Sequence, residues 1–124
     1  MQAQKGDPAA AVAAFDEVAA DASVPQSLRD LAKLRAALLL LDTGSYDDVA
    51  KRVESLSSDG NPMRHSAREA LGLAAWKAGR GGDAEKLFKQ ISDDQAAPAN
   101  IRQFADTMLD MLRSTGAAPA AAAG

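Results

Sequence analysis

The fold is decided by residues 61–98, which read NPMRHSAREALGLAAWKAGRGGDAEKLFKQISDDQAAP. On both sides of a glycine-rich interruption, apolar residues recur at the three- and four-residue spacing of one helix face. Asn61 is a capping residue placed before Pro62, which a helix tolerates in its first turn, and Gly79 is a typical C-terminal cap. The stretch therefore predicts two helices, near residues 63–78 and 83–92.

Proline before a helical segment and glycine after it recur along the rest of the chain. Prolines stand at Pro25, Pro62 and Pro98, spaced by 37 and 36 residues, and glycines at Gly44, Gly79 and Gly116 close the segments that they open. A second series of shorter apolar stripes, the first of which follows Gly6, interleaves with these segments. Together the two series predict helices near 8–20, 26–42, 45–57, 63–78, 83–92 and 99–113.

Local chemistry supports several of these helix ends. Asp7 caps the segment that opens at Pro8, and Ser45 with Asp48 resembles a capping box. Gly81 and Gly82 are predicted to form a flexible turn that ends in a capping aspartate, Asp83.

Composition favours helices packed closely together. Alanine supplies much of the 47% apolar content, and no segment alternates with the period of a strand. We expect an all-α fold, a right-handed α-solenoid of about six helices in helix-turn-helix repeats. The expected division is an N-terminal stub at 1–7, a repeat domain at 8–113 and a disordered Ala/Pro/Gly tail at 114–124.

Charge and cysteine usage exclude several classes of function. The net charge is −3 with basic residues dispersed among acids, so nucleic acid is not an expected partner. No cysteine is present, which removes disulfides and thiolate metal sites. The longest dense apolar stretch, Ala36 to Leu41, is far shorter than the roughly 20 residues that span a bilayer, and the N-terminus does not resemble a signal peptide. We expect no cofactor and no membrane insertion by this segment.

Candidate catalytic and metal-binding residues all have simpler explanations. His65 is the only histidine, too few for a zinc site, and is predicted to be an ordinary helix-start or surface residue. The neighbouring acids Asp47-Asp48 and Asp93-Asp94 point to different sides of a helix and cannot form a catalytic dyad. The loop at 79–82 lacks the strand and the lysine-hydroxyl ending of a phosphate-binding loop. We therefore predict that the chain is not an enzyme and has no catalytic or metal residues.

The spacing of Leu71-Gly72, Gly79, Ala84, Phe88 and Pro98 resembles the tetratricopeptide signature. In that pattern a small residue lets paired helices approach, a glycine forms the turn, and an alanine and an aromatic pack the second helix. The preceding repeat matches less well, with Ala37, Gly44, Val49, Val53 and Pro62 in those places. The usual tyrosine of the first helix is replaced by Leu40 and Ala75.

Two longer phrases, residues 28–41 and 60–79, carry a more specific resemblance. They are similar to the tetratricopeptide-like domain of bacterial inner-membrane proteins related to the ancillary subunit of the SecYEG translocon, over roughly residues 6–112. The resemblance implies a scaffold that binds other proteins, with translocon components or periplasmic chaperones as partners. It also implies an N-terminal membrane anchor, which this chain lacks, so we expect a fragment of a longer protein. The location would be the periplasmic side of the inner membrane if the anchor exists, and cytoplasmic otherwise.

Tetratricopeptide repeats bind peptides along the concave face of their first helices. The resemblance places in that groove Leu38, Ser66, Glu69, Leu73, Trp76, Lys77, Gln103, Asp106, Asp110 and Arg113. Trp76 and Leu73 would be the apolar anchors of a bound peptide, because tryptophan is enriched in binding hot spots. A core position for Trp76, closing the turn before Gly79, is the alternative.

The first helix begins the repeat series with half a repeat. Its apolar residues Val12, Phe15 and Val18 can pack on the helix near 26–42, but one flank should stay uncovered. A missing upstream segment and a homodimer contact through these three residues are both open. Two other functions remain as alternatives: an oligomerisation element, and an accessory domain of an enzyme whose catalytic part lies elsewhere.

Overall fold

A computed structural model describes residues 7–115 of the chain, and this part is all-helical with no strand. The six helices are α1 (Pro8–Ala20), α2 (Gln26–Thr43), α3 (Tyr46–Val53), α4 (Arg64–Lys77), α5 (Gly81–Asp93) and α6 (Ala99–Ser114). A short 3₁₀ turn, Glu54–Leu56, follows α3. The all-α prediction and its six helices are confirmed. Gly6, Gly116 and most of the predicted stub and tail lie outside the described residues.

Capping side chains start α1 and α3 where the sequence predicts. The Asp7 carboxylate accepts a hydrogen bond from the backbone N–H of Ala10 at 3.2 Å, with Pro8 in the first turn. Ser45 and Asp48 form both bonds of the capping box, each 3.1 Å long. These two helix starts therefore follow from short-range chemistry alone.

Two predicted helix starts differ in the structure. The Asn61 side chain accepts from the Met63 N–H at 2.8 Å, which holds Pro62 in a turn and delays α4 to Arg64. The predicted turn at Gly81–Asp83 is wrong, because α5 already begins at Gly81. Gly79 alone, with φ of +79°, supplies the left-handed conformation that reverses the chain.

Helix α4 is the centre of the packing. It contacts α2, α3, α5 and α6, and each helix also packs against the next one along the chain. One buried cluster fills the space between α2, α3 and α4, and includes Leu34, Val49, Val53, Leu56 and Leu71. A second fills the space between α4, α5 and α6, and includes Ala75, Phe88, Ile91, Met108 and Leu112. Helix α4 contributes buried residues to both clusters.

Gly72 of α4 lies against the aromatic ring of Phe88 of α5. A Cβ atom built on Gly72 would lie 2.8 Å from Cζ of Phe88, well inside van der Waals contact. Phe88 is completely buried and also meets Phe104 of α6 edge-to-face, with the ring centroids 6.2 Å apart. A residue without a side chain at position 72 therefore allows the aromatic ring to fill the second cluster.

Candidate functional site

Only one stripe of α4 is open to solvent over most of the helix length. Ser66, Glu69 and Leu73 are half-buried and Trp76 and Lys77 are exposed, whereas most other residues of α4 are buried. Steps of three and four residues place all five on the same face of the helix. This face is the one that the sequence assigned to a peptide groove.

The adjoining edge of α2 carries Leu38 and Asp42, both exposed. The Lys77 Nζ lies 3.8 Å from the Asp42 Oδ1, so the C-terminal ends of the two helices are side by side. Leu38 is one turn before Asp42, and Leu73 is one turn before Lys77. We call the surface formed by Leu38, Asp42, Glu69, Leu73, Trp76 and Lys77 the α2/α4 face.

Two large apolar side chains are open on the α2/α4 face. Trp76 is 41% exposed and Leu38 is 42% exposed. Trp76 belongs to neither buried cluster, so the alternative of a core tryptophan does not describe this structure. Leu73 is partly buried and packs against the second cluster, so it joins the α2/α4 face to the core.

Glu69 is the one acid on the α4 stripe. Within residues 7–115, no hydrogen bond or ion pair to its carboxylate is found. Burial raises the pKa of Glu69 above its usual value, because a carboxylate that loses water without gaining a cation is harder to ionise. The α2/α4 face therefore combines apolar side chains with an uncompensated, half-buried acid.

Four residues of the predicted groove lie on α6. Gln103, Asp106, Asp110 and Arg113 are exposed and form one stripe of α6. Asp106 accepts a hydrogen bond from the Ser92 hydroxyl at 2.7 Å, and the Arg113 Nε lies 3.3 Å from a Glu85 oxygen. Both partners belong to α5, so the stripe faces α5. Two of the four residues therefore contact α5, and the place of this stripe in the groove stays a prediction.

The three residues of the predicted self-association face do not form one open surface. Val12 is buried, Phe15 is half-buried and Val18 is 39% exposed. A three-residue step falls short of a full helical turn by about 60°, so successive members rotate away from α2. Only Val18 is open, and the three-residue contact is corrected to a single exposed side chain.

An ion cluster at the N-terminal end of α4 is the second candidate site. Asp94, which follows α5, accepts from the Arg64 Nε at 2.7 Å and from the Arg68 Nη1 at 3.4 Å. Arg68 is buried and also donates to Asp59 at 2.7 Å and to the Ser57 carbonyl at 2.9 Å. The Arg64 guanidinium lowers the pKa of Asp94 to about 2. We call Asp59, Arg64, His65, Arg68 and Asp94 the α4 N-terminal cluster.

His65 lies in the first turn of α4, one of the two predicted positions, and is buried in this cluster, which excludes the surface alternative. It is 9% exposed, and its Nδ1 lies 3.6 Å from an Asp94 oxygen with no hydrogen-bond partner. Burial, together with the charge of Arg64, lowers the pKa of His65. Sequence reasoning missed the cluster because Asp94 is separated from Arg64 by 30 residues. The sequence did contain a signal for the cluster, because aspartates occupy equivalent positions after successive short helices, at Asp21, Asp59 and Asp94.

The α4 N-terminal cluster ties the helix to the loops on either side. Its two arginines are balanced by two aspartates, so no charge is left over for a ligand. Among residues 7–115, no group of three or more His, Asp or Glu residues is arranged to hold a metal ion. The arrangement serves the packing of α4 and leaves the α2/α4 face as the stronger candidate.

Comparison with protein-family models, with curated proteins and with solved structures gives no match to this chain. In the described part of the chain, no helix combines the length and the apolar content needed to cross a membrane. What the molecule does must therefore be inferred from its own surfaces.

Proposed function

We propose that the chain is a non-catalytic protein-interaction module, a right-handed solenoid of tetratricopeptide-like repeats that binds a segment of a partner protein. The supporting observation is the α2/α4 face, where Trp76 of α4 and Leu38 of α2 are exposed although most other residues of α4 are buried. Tryptophan offers a large contact area with few rotatable bonds, which makes it a frequent hot spot of binding surfaces. A site on packed helices also loses little conformational entropy when it binds.

The test replaces Trp76 and follows binding and folding separately. A photo-crosslinking amino acid at Leu38 should capture a discrete partner in the native host, and Trp76→Ala should abolish the adduct. The matched control places the same amino acid at Lys86, an exposed position of α5, where no adduct is expected. Unchanged crosslinking in a Trp76→Ala variant that melts at a lower temperature would assign Trp76 to folding and reject the binding site.

The resemblance to the inner-membrane family supports a more specific proposal. We propose that the module belongs to a membrane-anchored cell-envelope protein, faces the periplasm and binds translocon components or periplasmic chaperones. The coding sequence upstream of Met1 tests this assignment. An apolar run of about 20 residues there would support an anchor, and its absence would favour a cytoplasmic scaffold.

Oligomerisation through α1 is the second candidate function. Helix α1 packs chiefly on α2, and Val18 remains exposed on its flank. Analytical ultracentrifugation of the full chain decides between the two functions. A monomer at the highest attainable concentration removes this candidate, whereas a dimer that Val18→Asp dissociates would support it.

A further inference from the structure

Glu69 differs from the other charged groups of the α2/α4 face. Lys77 and Asp42 are 3.8 Å apart and neutralise each other at one end of the face. At the other end the Glu69 carboxylate is half-buried, and within residues 7–115 neither an ion pair nor a hydrogen bond to it is found. The face therefore has a net negative charge at a fixed position, one and two turns before its apolar residues Leu73 and Trp76.

A partner segment that runs along the α4 stripe from Trp76 past Leu73 also covers Glu69, which is one helical turn before Leu73. Removing the remaining water from a carboxylate is strongly unfavourable unless an opposite charge or hydrogen-bond donors replace that water. An entirely apolar partner segment would leave the charge buried and unpaired. A lysine or arginine at the right position would remove this penalty and add a charge-assisted hydrogen bond.

We propose that the α2/α4 face binds a peptide segment of a partner protein in which a lysine or arginine pairs with Glu69 and an apolar side chain packs on Leu73 and Trp76. The inference rests on the proposed function and specifies the chemistry of the partner. The raised pKa of Glu69 agrees with an acid to which residues 7–115 supply no cation. The negative net charge of the chain, −3, favours the approach of a basic segment.

Helix geometry sets the spacing in the partner. Leu73 is four residues and Trp76 seven residues after Glu69, which corresponds to about 6 Å and about 10 Å along the α4 axis. An extended partner covers these distances in about two to three residues, and a helical partner in about four to seven. The basic residue and the apolar anchor should therefore be separated by one of these two intervals.

The test selects peptides from a phage-displayed library of random 12-residue sequences on the full chain. Peptides that bind wild type but not Trp76→Ala should share a lysine or arginine at the stated spacing from a large apolar residue. For one such synthetic peptide, Glu69→Gln should weaken binding about tenfold, in line with the loss of a charge-assisted pair. The matched control, Glu17→Gln on the exposed side of α1, should leave binding unchanged.

Replacing the peptide's lysine with norleucine completes a double-mutant cycle. The peptide change and Glu69→Gln should each weaken binding, with little further loss when they are combined. Glu69→Lys should select peptides with an acid at the same place. Thermal melting of each variant shows that it is folded, and the amide is nearly the same size as the carboxylate.

The outcomes separate the two proposals. Trp76-dependent peptides without a conserved basic residue, or equal affinity for wild type and Glu69→Gln, would overturn the Glu69 assignment and leave the interaction module standing. Selection that yields no Trp76-dependent peptide would reject both. Selected peptides that lose affinity to the same extent with Glu17→Gln would show a general charge effect and would also overturn the assignment.

Discussion

Two faces of α4 treat their charged side chains in opposite ways. In the α4 N-terminal cluster, Arg64 and Arg68 donate to Asp94 and Asp59, and buried Arg68 also reaches a backbone carbonyl. On the α2/α4 face, Glu69 has no such partner among residues 7–115 and lies two helical turns before exposed Trp76. Charge that is satisfied inside the molecule stabilises packing, whereas charge left unsatisfied beside apolar surface indicates a partner from outside.

The largest effect on stability is expected when the buried cation of the α4 N-terminal cluster, Arg68, is removed. Arg68→Met should lower the free energy of unfolding by about 3 kcal/mol, because it leaves Asp94 and the Ser57 carbonyl with fewer donors in a buried site. Urea denaturation measures the loss. Arg35→Met, at an exposed position of α2, is the control and should change stability by less than about 0.5 kcal/mol. Equal losses in the two variants would show that the cluster does not stabilise the fold.

A Cβ at Gly72 tests the buried side of the same helix. Gly72→Ala should destabilise by about 2 kcal/mol, since the new methyl group meets the Phe88 ring and overpacks the core. Combined with Phe88→Leu, which makes room for the methyl group, it should cost less than the sum of the two single changes. If the double variant is as unstable as the sum of the single ones, the contact between Gly72 and Phe88 is not the cause.

The pH dependence of stability reports on Asp94. Its pKa is lowered from 3.8 to about 2 in the folded chain, so the folded state favours the ionised carboxylate. The resulting stabilisation is present above pH 3.8 and is lost as the pH falls through about 2. Thermal melting between pH 5 and pH 2 should show a steeper decline for wild type than for Asp94→Asn. Asp93→Asn, at the exposed neighbouring position, should follow wild type; a parallel decline in all three would contradict the role of Asp94.

The smallest effect on stability belongs to the α2/α4 face. Trp76→Ala should change the free energy of unfolding by no more than about 1 kcal/mol, as expected for a partly exposed side chain outside the core. Its effect on partner binding should be large, and the two readouts together sharpen the contrast with Arg68→Met. A loss near the 3 to 5 kcal/mol typical of a buried tryptophan would place Trp76 in the core.

The local part of the fold could be predicted well. The start of α1 at Pro8 and the capping box at Ser45 depend on contacts within three residues, so the sequence contains all of their determinants. The stripe from Ser66 to Trp76 was also predictable, since helical spacing and the repeat register place it on one face. The start of α5 was not predicted correctly. The sequence predicted a turn that extends to Asp83, whereas the left-handed conformation of Gly79 alone reverses the chain and α5 begins at Gly81.

What the sequence by itself determined is the set of helices, their order and the residues that share each face, because capping, periodicity and glycine conformation act over a few residues. Only the tertiary structure decided that His65 is buried, that Asp94 meets Arg64, and that Asp106 and Arg113 turn toward α5. These facts depend on how each helix rotates as it packs, which many distant contacts fix together. The openness of Trp76 and the uncompensated charge of Glu69 also belong to that second group, and they carry the functional proposal.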